Sequence, residues 1–226
     1  MKIDLAKRAA AEKALTYLRD GMVFGLGTGS TVEAGFERLA QLIANGLRVN
    51  CVSSSARTTE RARQLSIPLI ELDRVRAVDL SIDGADQVDP HYAMIKGRGS
   101  ALLREKILAR HARRRIFIVD RGKIVPVLGQ IDLPVEVVPY GWSHTAALLA
   151  ERLGAEVRIR RAGNAVVTTD NGNYLLDCPI GELRDPHSLD RDLRSIPGIV
   201  ETGIFVDMVD ILVVGDELNT DVQQIR

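Results

Sequence analysis

The sequence predicts an α/β fold: a doubly wound, mostly parallel sheet of the Rossmann-like type, with a smaller α+β ferredoxin-like domain inserted into it. Two observations lead to this prediction. Short apolar segments alternate with helical segments of about ten residues or more as far as about residue 129, which is typical of a parallel sheet with crossover helices. From about residue 130 the order becomes strand, helix, strand, strand, helix, strand, which is a split βαβ unit. The predicted domains are therefore residues 1–129 with 207–226, and residues 130–206.

The larger domain is predicted to begin with a helix whose apolar residues recur at helical spacing and which ends near Asp20 and Gly21. Apolar runs then predict strands at Met22–Gly25, Val49–Val52, Pro68–Leu72, Ala77–Ile82, Arg115–Val119 and Asp210–Val214. Between the strands, residues able to cap a helix predict helices from Ser30 or Thr31 to about Ala44, from after Ser55 to Leu65, and from Ser100 to about Ala112.

The smaller domain is predicted from shorter segments. Its expected strands are Pro134–Val138, Glu156–Arg160, Asn173–Cys178 and Ile199–Phe205. Its expected helices are Ser143–Leu153 and Ser188–Ser195. The run Asp170-Asn171-Gly172-Asn173 is a strong turn signal before the third strand.

Composition indicates a soluble enzyme rather than a nucleic-acid or membrane protein. Lysine plus arginine equals aspartate plus glutamate at 30 each, so no net charge attracts an acidic partner. The basic run Arg113–Arg115 has no interleaved aromatic residues and is interpreted as a solvated helix end. The two cysteines lie far apart in the sequence, and the N-terminus lacks the apolar core of a signal peptide. We therefore expect a cytoplasmic protein with no nucleic-acid or membrane partner.

The run Gly25-Leu26-Gly27-Thr28-Gly29-Ser30-Thr31 is interpreted as an anion-binding loop. Closely spaced glycines let backbone N–H groups approach a phosphate, and the hydroxyls add donors. A dinucleotide site is disfavoured because the third glycine is misplaced and the next strand ends in serines rather than an acidic residue. A Walker A loop is excluded because no Gly-Lys-Ser/Thr follows. A tight turn without a ligand remains an alternative, and Ser53–Ser55 either line the same pocket or cap the next helix.

Acidic residues follow the strand that ends at Ile82. Asp83 and Asp86 bracket Gly84-Ala85 at the sheet edge where such folds bind ligands, and two carboxylates there are suited to hold sugar hydroxyls. The alternative is local turn chemistry. A metal site is disfavoured because the four histidines lack ligand spacing.

Glu105 is the candidate base. Its neighbours on the same helix face are apolar, and desolvation of a carboxylate there makes it a stronger proton acceptor. The alternative is a surface glutamate paired with Arg104 or Lys106. Lys96 lies in the loop Lys96-Gly97-Arg98-Gly99, where an ammonium group can stabilise an oxyanion, and Lys123 offers a second positive charge.

Seven segments carry a family resemblance: Gly25–Thr31, Ser53–Ser55, Asp83–Asp86, Lys96–Gly99, Leu103–Lys106, Pro134–Val137 and Ile196–Gly198. Together, in order and over nearly the whole chain, they resemble the type A ribose-5-phosphate isomerases. The combination of Asp-Gly-Ala-Asp with Lys-Gly-x-Gly and Arg-Glu-Lys is highly specific. The sequence departs from the family pattern at Gln87, Arg98 and Ser100, which bears on loop conformation and affinity rather than chemistry.

The resemblance implies reversible isomerisation of D-ribose 5-phosphate and D-ribulose 5-phosphate through an enediolate, in the non-oxidative branch of the pentose phosphate pathway. It implies that Glu105, Asp83 and Lys96 are catalytic, without a metal or cofactor. The further implied substrate-binding residues are Thr28, Gly29, Ser30, Thr31, Gly84, Ala85, Asp86, Gly97, Arg98, Gly99 and Lys123. It also implies a homodimer or homotetramer, and it places Lys7 near the phosphate.

Two other functions are compatible with a sugar-phosphate site. An amino-sugar phosphate deaminase is disfavoured because no histidine lies between Ser100 and His111, close to the candidate base. A non-catalytic sugar-phosphate sensor is disfavoured because no segment is left over for a DNA-binding helix pair.

Overall fold

The structure is a computed structural model that describes residues 2–216 and 220–225. The chain forms two compact units. Unit 1 comprises Met1–Ala85, Arg104–Ile124 and Met208–Arg226, and unit 2 comprises Asp86–Leu103 and Val125–Asp207. No helix in the described part of the chain combines the length and apolar character needed to cross a bilayer.

The helices and strands are numbered here in chain order. The helices are α1 (Lys2–Leu15), α2 (Ser30–Glu33), α3 (Phe36–Ala44), α4 (Ala56–Gln64), α5 (Leu102–His111), α6 (Trp142–Leu153) and α7 (Pro186–Arg194). The strands are β1 (Val23–Leu26), β2 (Asn50–Ser53), β3 (Leu80–Gly84), β4 (Gln87–Val88), β5 (Met94–Ile95), β6 (Arg115–Asp120), β7 (Leu133–Val137), β8 (Arg158–Ile159), β9 (Arg161–Ala162), β10 (Ala165–Val166), β11 (Tyr174–Cys178), β12 (Ile199–Thr202), β13 (Ile204–Phe205), β14 (Ile211–Gly215) and β15 (Thr220–Gln224).

Unit 1 is built on a six-stranded sheet in the order β15-β14-β6-β3-β1-β2. All its pairings are parallel except that of β15 with β14, so the predicted fold class is confirmed. Both faces bury apolar side chains, as a parallel sheet covered by helices requires. Buried alanines of α1 pack with Phe24 and Ile116 on one side, while Leu108 of α5 packs with Val52 and Val78 in a separate cluster.

The chain reverses its direction of winding between β1 and β3. It passes from β1 to β2 on one side, and then crosses back to β3 on the other side of β1. Such a switch point opens a crevice at the carboxyl ends of the two strands, which is where open α/β sheets bind ligands. The glycine-rich loop follows β1, and Asp83 lies at the end of β3.

Two predicted elements of unit 1 differ in the structure. Residues 68–72 form only an isolated bridge between Cys51 and Leu69, because Pro68 lacks the N–H group that would extend the pairing. The predicted helix from Ser30 to Ala44 is divided into α2 and α3 at Gly35. A Cβ at Gly35 would lie 2.9 Å from the Cβ of Ala11, so the close approach to α1 requires a glycine there.

Unit 2 contains a four-stranded antiparallel sheet in the order β12-β7-β11-β8. In the order of these four strands along the chain this is 4-1-3-2, with α6 and α7 as the two connecting helices. One sheet face carries Val135 and Val137, which pack with Leu149 of α6 and Leu193 of α7 in a buried core. The strand, helix, strand, strand, helix, strand order is the one that the sequence predicts.

A second sheet of unit 2 has the order β13-β5-β4. Through it Met94–Ile95 pair with both Ile204–Phe205 and Gln87–Val88, and Val125 N–H donates to the Val88 carbonyl at 2.9 Å. The contacts therefore group residues 86–103 and 125–129 with unit 2, whereas the sequence-based division places them in the larger domain. Strands of two residues carry no detectable periodicity, which explains the difference.

Candidate active site

The carboxylate of Asp83 joins the two strands at the switch point. Its Oδ1 accepts hydrogen bonds from the backbone N–H of Thr28, at 3.2 Å, and of Gly84, at 2.7 Å. A Cβ at Gly27 would lie 2.2 Å from the same oxygen. Gly27 therefore provides the space in which the Asp83 carboxylate lies against the loop after β1.

The hydroxyl of Thr28 belongs to a buried cluster of four hydroxyl groups. It lies 2.9 Å from Ser54 Oγ, 2.8 Å from Ser55 Oγ and 3.1 Å from Thr58 Oγ1, and Thr28 is only 7% exposed. Thr58 in turn donates to the Gly27 carbonyl at 3.0 Å. Through the Thr28 hydroxyl and the Gly27 carbonyl, the cluster holds the backbone of the glycine-rich loop against the start of α4.

Ser55 also caps a helix, as one of the two sequence-based interpretations expects. Its Oγ accepts the N–H of Thr58 at 3.0 Å, which satisfies a donor in the first turn of α4. The serines after β2 therefore support both the helix and the loop.

The outer part of the loop presents polar groups. Gly29 has a φ of 120°, a conformation that favours glycine, and it precedes α2. Ser30 is exposed and Thr31 half-buried. Ser30 Oγ accepts a hydrogen bond from Lys7 Nζ at 2.9 Å, so an ammonium group of α1 lies beside the predicted anion site.

Glu105 lies at the same edge of the sheet of unit 1. Ala112, after the end of α5, bridges to Val78 just before β3, so α5 runs antiparallel to β3 and begins at the carboxyl edge. Leu108 packs against β1, because a Cβ at Gly25 would lie 3.1 Å from Leu108 Cγ. Glu105 is one helical turn, about 5 Å, nearer the carboxyl edge than Leu108. It is 4% exposed, so the structure contradicts the alternative of a surface glutamate.

Lys123 follows the next strand of that sheet. It ends a short 3₁₀ turn at Arg121–Lys123, directly after β6, and its side chain is half-buried. Because β6 neighbours β3, Lys123 belongs to the same carboxyl edge as Asp83.

The loop with Lys96 belongs to unit 2. Lys96 follows β5 and is 3% exposed, with its N–H donating to the Gly203 carbonyl at 2.8 Å and its Nζ lying 5.4 Å from the Phe205 ring centroid. Asp86 Oδ2 accepts the N–H of Arg98 at 3.1 Å. Gly97 is buried, whereas Arg98 and Gly99 are exposed.

Gly84 and Ala85 are half-buried and connect β3 to the start of unit 2. Two contacts were beyond sequence reasoning. The hydroxyl cluster joins Thr28 to Thr58, and Arg160 donates to the Gly97 carbonyl across 63 residues of sequence. Neither Thr58 nor Arg160 carries a local signal, because each acts through a contact distant in sequence.

In chemical terms, unit 1 combines a buried carboxylate, a second carboxylate held by backbone N–H groups, and a loop with an adjacent ammonium group. These are the components needed to hold a phosphate and move a proton on a nearby carbon. Among residues 2–216 and 220–225 no three histidine, cysteine, aspartate or glutamate side chains are grouped closely enough to hold a metal ion.

Known proteins resemble the whole chain. The family described as ribose 5-phosphate isomerase A (phosphoriboisomerase A) matches residues 50–219. The ribose-5-phosphate isomerase A of Cereibacter sphaeroides is 47% identical over 220 residues, which cover 94% of this chain and 88% of that protein. The ribose-5-phosphate isomerase A 1 of Oceanobacillus iheyensis is 42% identical over 217 residues, covering 96% of each.

Solved structures agree with these relatives. A D-ribose-5-phosphate isomerase in complex with phospho-erythronic acid superposes with a TM-score of 0.95, at 36% identity and with both chains fully covered. The ribose 5-phosphate isomerase A of Methanocaldococcus jannaschii superposes with a TM-score of 0.91, at 35% identity, covering 98% of this chain and 99% of that one.

Proposed function

The chain belongs to the ribose 5-phosphate isomerase A family and interconverts D-ribose 5-phosphate and D-ribulose 5-phosphate, and we propose that Glu105 is the base of this reaction. The observation that carries the proposal is the burial of this carboxylate at the carboxyl edge of the sheet, where β1 and β3 open the switch-point crevice. Little water reaches a carboxylate at this position, so hydration weakens its basicity less than it would at the surface.

In the proposed mechanism Glu105 removes the proton from C2 of the open-chain aldose. The electron pair of that C–H bond forms the C1–C2 double bond of a cis-enediolate, and the carbonyl oxygen at C1 takes up the negative charge. The hydroxyl proton on O2 then moves to O1, Glu105 returns its proton to C1, and the C2 oxygen becomes the ketose carbonyl. One carboxylate therefore serves as acceptor and donor in turn.

We assign the other two catalytic roles to Lys96 and Asp83. The ammonium of Lys96 stabilises the enediolate oxygen, since a cation held in a dry environment offsets charge that develops in the transition state. Asp83 moves protons between the substrate oxygens or assists ring opening. This role is supported by the position of Asp83 near the end of β3, where two backbone N–H groups hold its carboxylate.

The remaining predicted residues bind the substrate in this proposal. The loop Thr28-Gly29-Ser30-Thr31 holds the phosphate, with Lys7 beside it as the supporting cation. Asp86 orients sugar hydroxyls, and Lys123 adds positive charge. The segments Gly84-Ala85 and Gly97-Arg98-Gly99 complete the contacts. A solved relative binds phospho-erythronic acid, and we propose that this chain binds the same compound.

We also propose a cytoplasmic homodimer or homotetramer. Both cysteines are buried and free, in agreement with a reducing compartment. Tyr140, just before α6, and Leu148, within α6, are 94% and 47% exposed, and such apolar surface is typical of a protein interface.

The role of Glu105 is tested with Glu105→Gln, which keeps the size of the side chain and removes its basicity. We expect kcat to fall by roughly two to four orders of magnitude with an unchanged Tm. Glu60→Gln, an exposed glutamate of α4, is the control and is expected to match the wild type.

Isotope exchange provides a second measurement. In D2O the wild-type protein should introduce deuterium at C2 of ribose 5-phosphate and at C1 of the ketose, and Glu105→Gln should not. Near-normal turnover or exchange by that variant would show that another residue is the base.

A further inference from the structure

Arg160 contacts the loop that carries Lys96, although it follows a different strand, β8. Its Nη1 donates to the Gly97 carbonyl at 2.7 Å and to Ser100 Oγ at 3.2 Å. The guanidinium is mostly buried, since the side chain is only 14% exposed. All of these residues belong to unit 2.

The other side of the same guanidinium is held by Asp177 of β11. Arg160 Nε lies 3.2 Å from Oδ1 and 3.1 Å from Oδ2 of Asp177, and Nη2 also pairs with that carboxylate. The backbone N–H of Arg160 donates to the Leu175 carbonyl at 2.8 Å, so the residue is fixed to β11 at two points. A planar, bidentate guanidinium keeps its direction better than a lysine would.

The loop that Arg160 contacts has an unusual backbone. Gly97 has a φ of 109° and Ser100, which is not a glycine, a φ of 63°. A Cβ at Gly97 would lie 2.8 Å from Leu102 Cδ2 and 3.0 Å from Pro134 Cβ. Left-handed conformations of this kind cost free energy and persist only where their surroundings hold them.

The residue preceding Gly97 is Lys96, whose ammonium is the proposed oxyanion stabiliser. A charged donor accelerates a reaction only if it is already in place when the charge develops. Displacement of such a group by about 1 Å costs on the order of 100-fold in rate. The conformation at Gly97 and Ser100 therefore bears directly on the position of Lys96.

We propose that Arg160 is a positioning residue for the isomerisation: it transmits the rigidity of the β8–β11 pair to the Lys96 loop and thereby fixes the ammonium group. This inference rests on the role proposed above for Lys96. Arg160 itself contacts no reacting atom in this scheme.

The test compares Arg160→Ala and Arg160→Lys with Arg158→Ala. Arg158 lies on β8 and forms an ion pair with Asp132 at 2.6 Å, but its side chain is 58% exposed, so it is a matched control. We expect Arg160→Ala to lower kcat about 10- to 100-fold while KM changes less than threefold. Arg160→Lys should fall between it and the wild type, and Arg158→Ala should match the wild type.

Two further measurements separate positioning from a merely structural role. Guanidinium ion at concentrations well below denaturation should restore part of the kcat of Arg160→Ala but leave Arg158→Ala unchanged. In a Lys96→Met background, Arg160→Ala should produce no additional loss, because both substitutions remove the same contribution. Additive losses, or a loss that follows only the unfolded fraction, would overturn the inference.

Asp177→Asn provides a test that keeps the loop contacts of Arg160. It weakens the anchor on β11 and should lower kcat several-fold. An unchanged kcat in both Asp177→Asn and a folded Arg160 variant overturns the inference.

If Lys96→Met retains full kcat, the proposed role of Lys96 fails together with the role of Arg160. If Lys96→Met is impaired and Arg160→Ala is not, only the inference about Arg160 fails.

Discussion

At the scale of single residues, the arrangement around Asp83 depends on the absence of a side chain. The carboxylate lies where a Cβ of residue 27 would be, and it accepts the N–H groups of Thr28 and Gly84. An alternating glycine pattern is usually interpreted as room for a phosphate. Here Gly27 instead makes room for a protein carboxylate, and Gly25 makes room for helix α5.

Gly27→Ala should therefore reduce activity and stability far more than the addition of one methyl group usually does. The added Cβ would lie 2.2 Å from Asp83 Oδ1 and 2.7 Å from Asp83 Cα, so backbone must move. We expect kcat/KM to fall at least about 100-fold, with a lower Tm. Gly25→Ala meets only side-chain atoms, at 3.0 to 3.2 Å, and should be milder in both measurements. Equal effects of the two substitutions would contradict the assigned role of Gly27.

Lys7 gives a prediction about substrate binding. Its Nζ lies 2.9 Å from Ser30 Oγ, and removal of one charge-assisted contact to a phosphate corresponds to roughly tenfold in affinity. Lys7→Met should raise KM about tenfold and leave kcat unchanged, and Thr31→Ala should also act mainly on KM. Lys13→Met, an exposed lysine of the same helix, is the control. A selective loss of kcat in Lys7→Met would place Lys7 at the reacting carbons instead.

At the scale of elements, α4 and α7 both begin with an N-cap whose side chain accepts a backbone N–H group of the first turn. Ser55 accepts the N–H of Thr58 at 3.0 Å, and Asp185 accepts the N–H of Ser188 at 2.9 Å. Replacement of either cap by alanine should lower the free energy of unfolding by about 1 kcal/mol. Only Ser55→Ala should also raise KM, because Ser55 contacts the Thr28 hydroxyl at 2.8 Å. Urea denaturation and steady-state kinetics on both variants provide the comparison, and a similar KM for both would argue against the hydroxyl cluster as a support of the loop.

The elements that the sequence predicts well are those with a continuous run of several apolar residues. The strands of the parallel sheet, including β14, follow from apolar runs, and the fold class is confirmed. Strands β4, β5 and β13 have two residues each, which is too short for any pattern. Strand β15 has the polar sequence Thr-Asp-Val-Gln-Gln and depends on its pairing with β14 rather than on its own side chains.

The site is partly predictable for the same physical reason. Carboxyl ends of neighbouring parallel strands lie together, so a sequence in which Thr28 follows β1 and Asp83 ends β3 indicates their proximity. The Lys7–Ser30 and Arg160–Gly97 contacts join elements without a fixed sequence relation, and only the tertiary structure reveals them. The roles of the site residues stay predictions until the variants are measured.

At the scale of the whole molecule, each unit contains one buried thiol. Burial raises the pKa of Cys51 and of Cys178 from 9.0 to about 12. In the unfolded chain these thiols ionise near their ordinary value, whereas the folded protein keeps them protonated. The stability due to this difference is fully present below about pH 9 and is lost as the pH rises toward about 12.

Iodoacetamide labelling followed by mass spectrometry tests this prediction. At pH 8.5 both thiols should resist alkylation in the native protein and react only at urea concentrations that unfold it. The urea midpoint should decrease between pH 9 and pH 10.5 more in the wild type than in a Cys51→Ala, Cys178→Ala variant. Rapid labelling without urea would show that the thiols are accessible.

The bond between Asp83 and the Thr28 N–H has a consequence for which sugars react. It couples the loop that we propose to hold the phosphate to the end of the neighbouring strand, and adjacent strands lie about 4.8 Å apart. In the proposed mechanism the separation of the phosphate from Glu105 is therefore set by contacts within one unit. We therefore expect selection by chain length: a sugar phosphate one carbon shorter or longer would present the wrong C–H bond to the Glu105 carboxylate, however well its hydroxyls are accommodated.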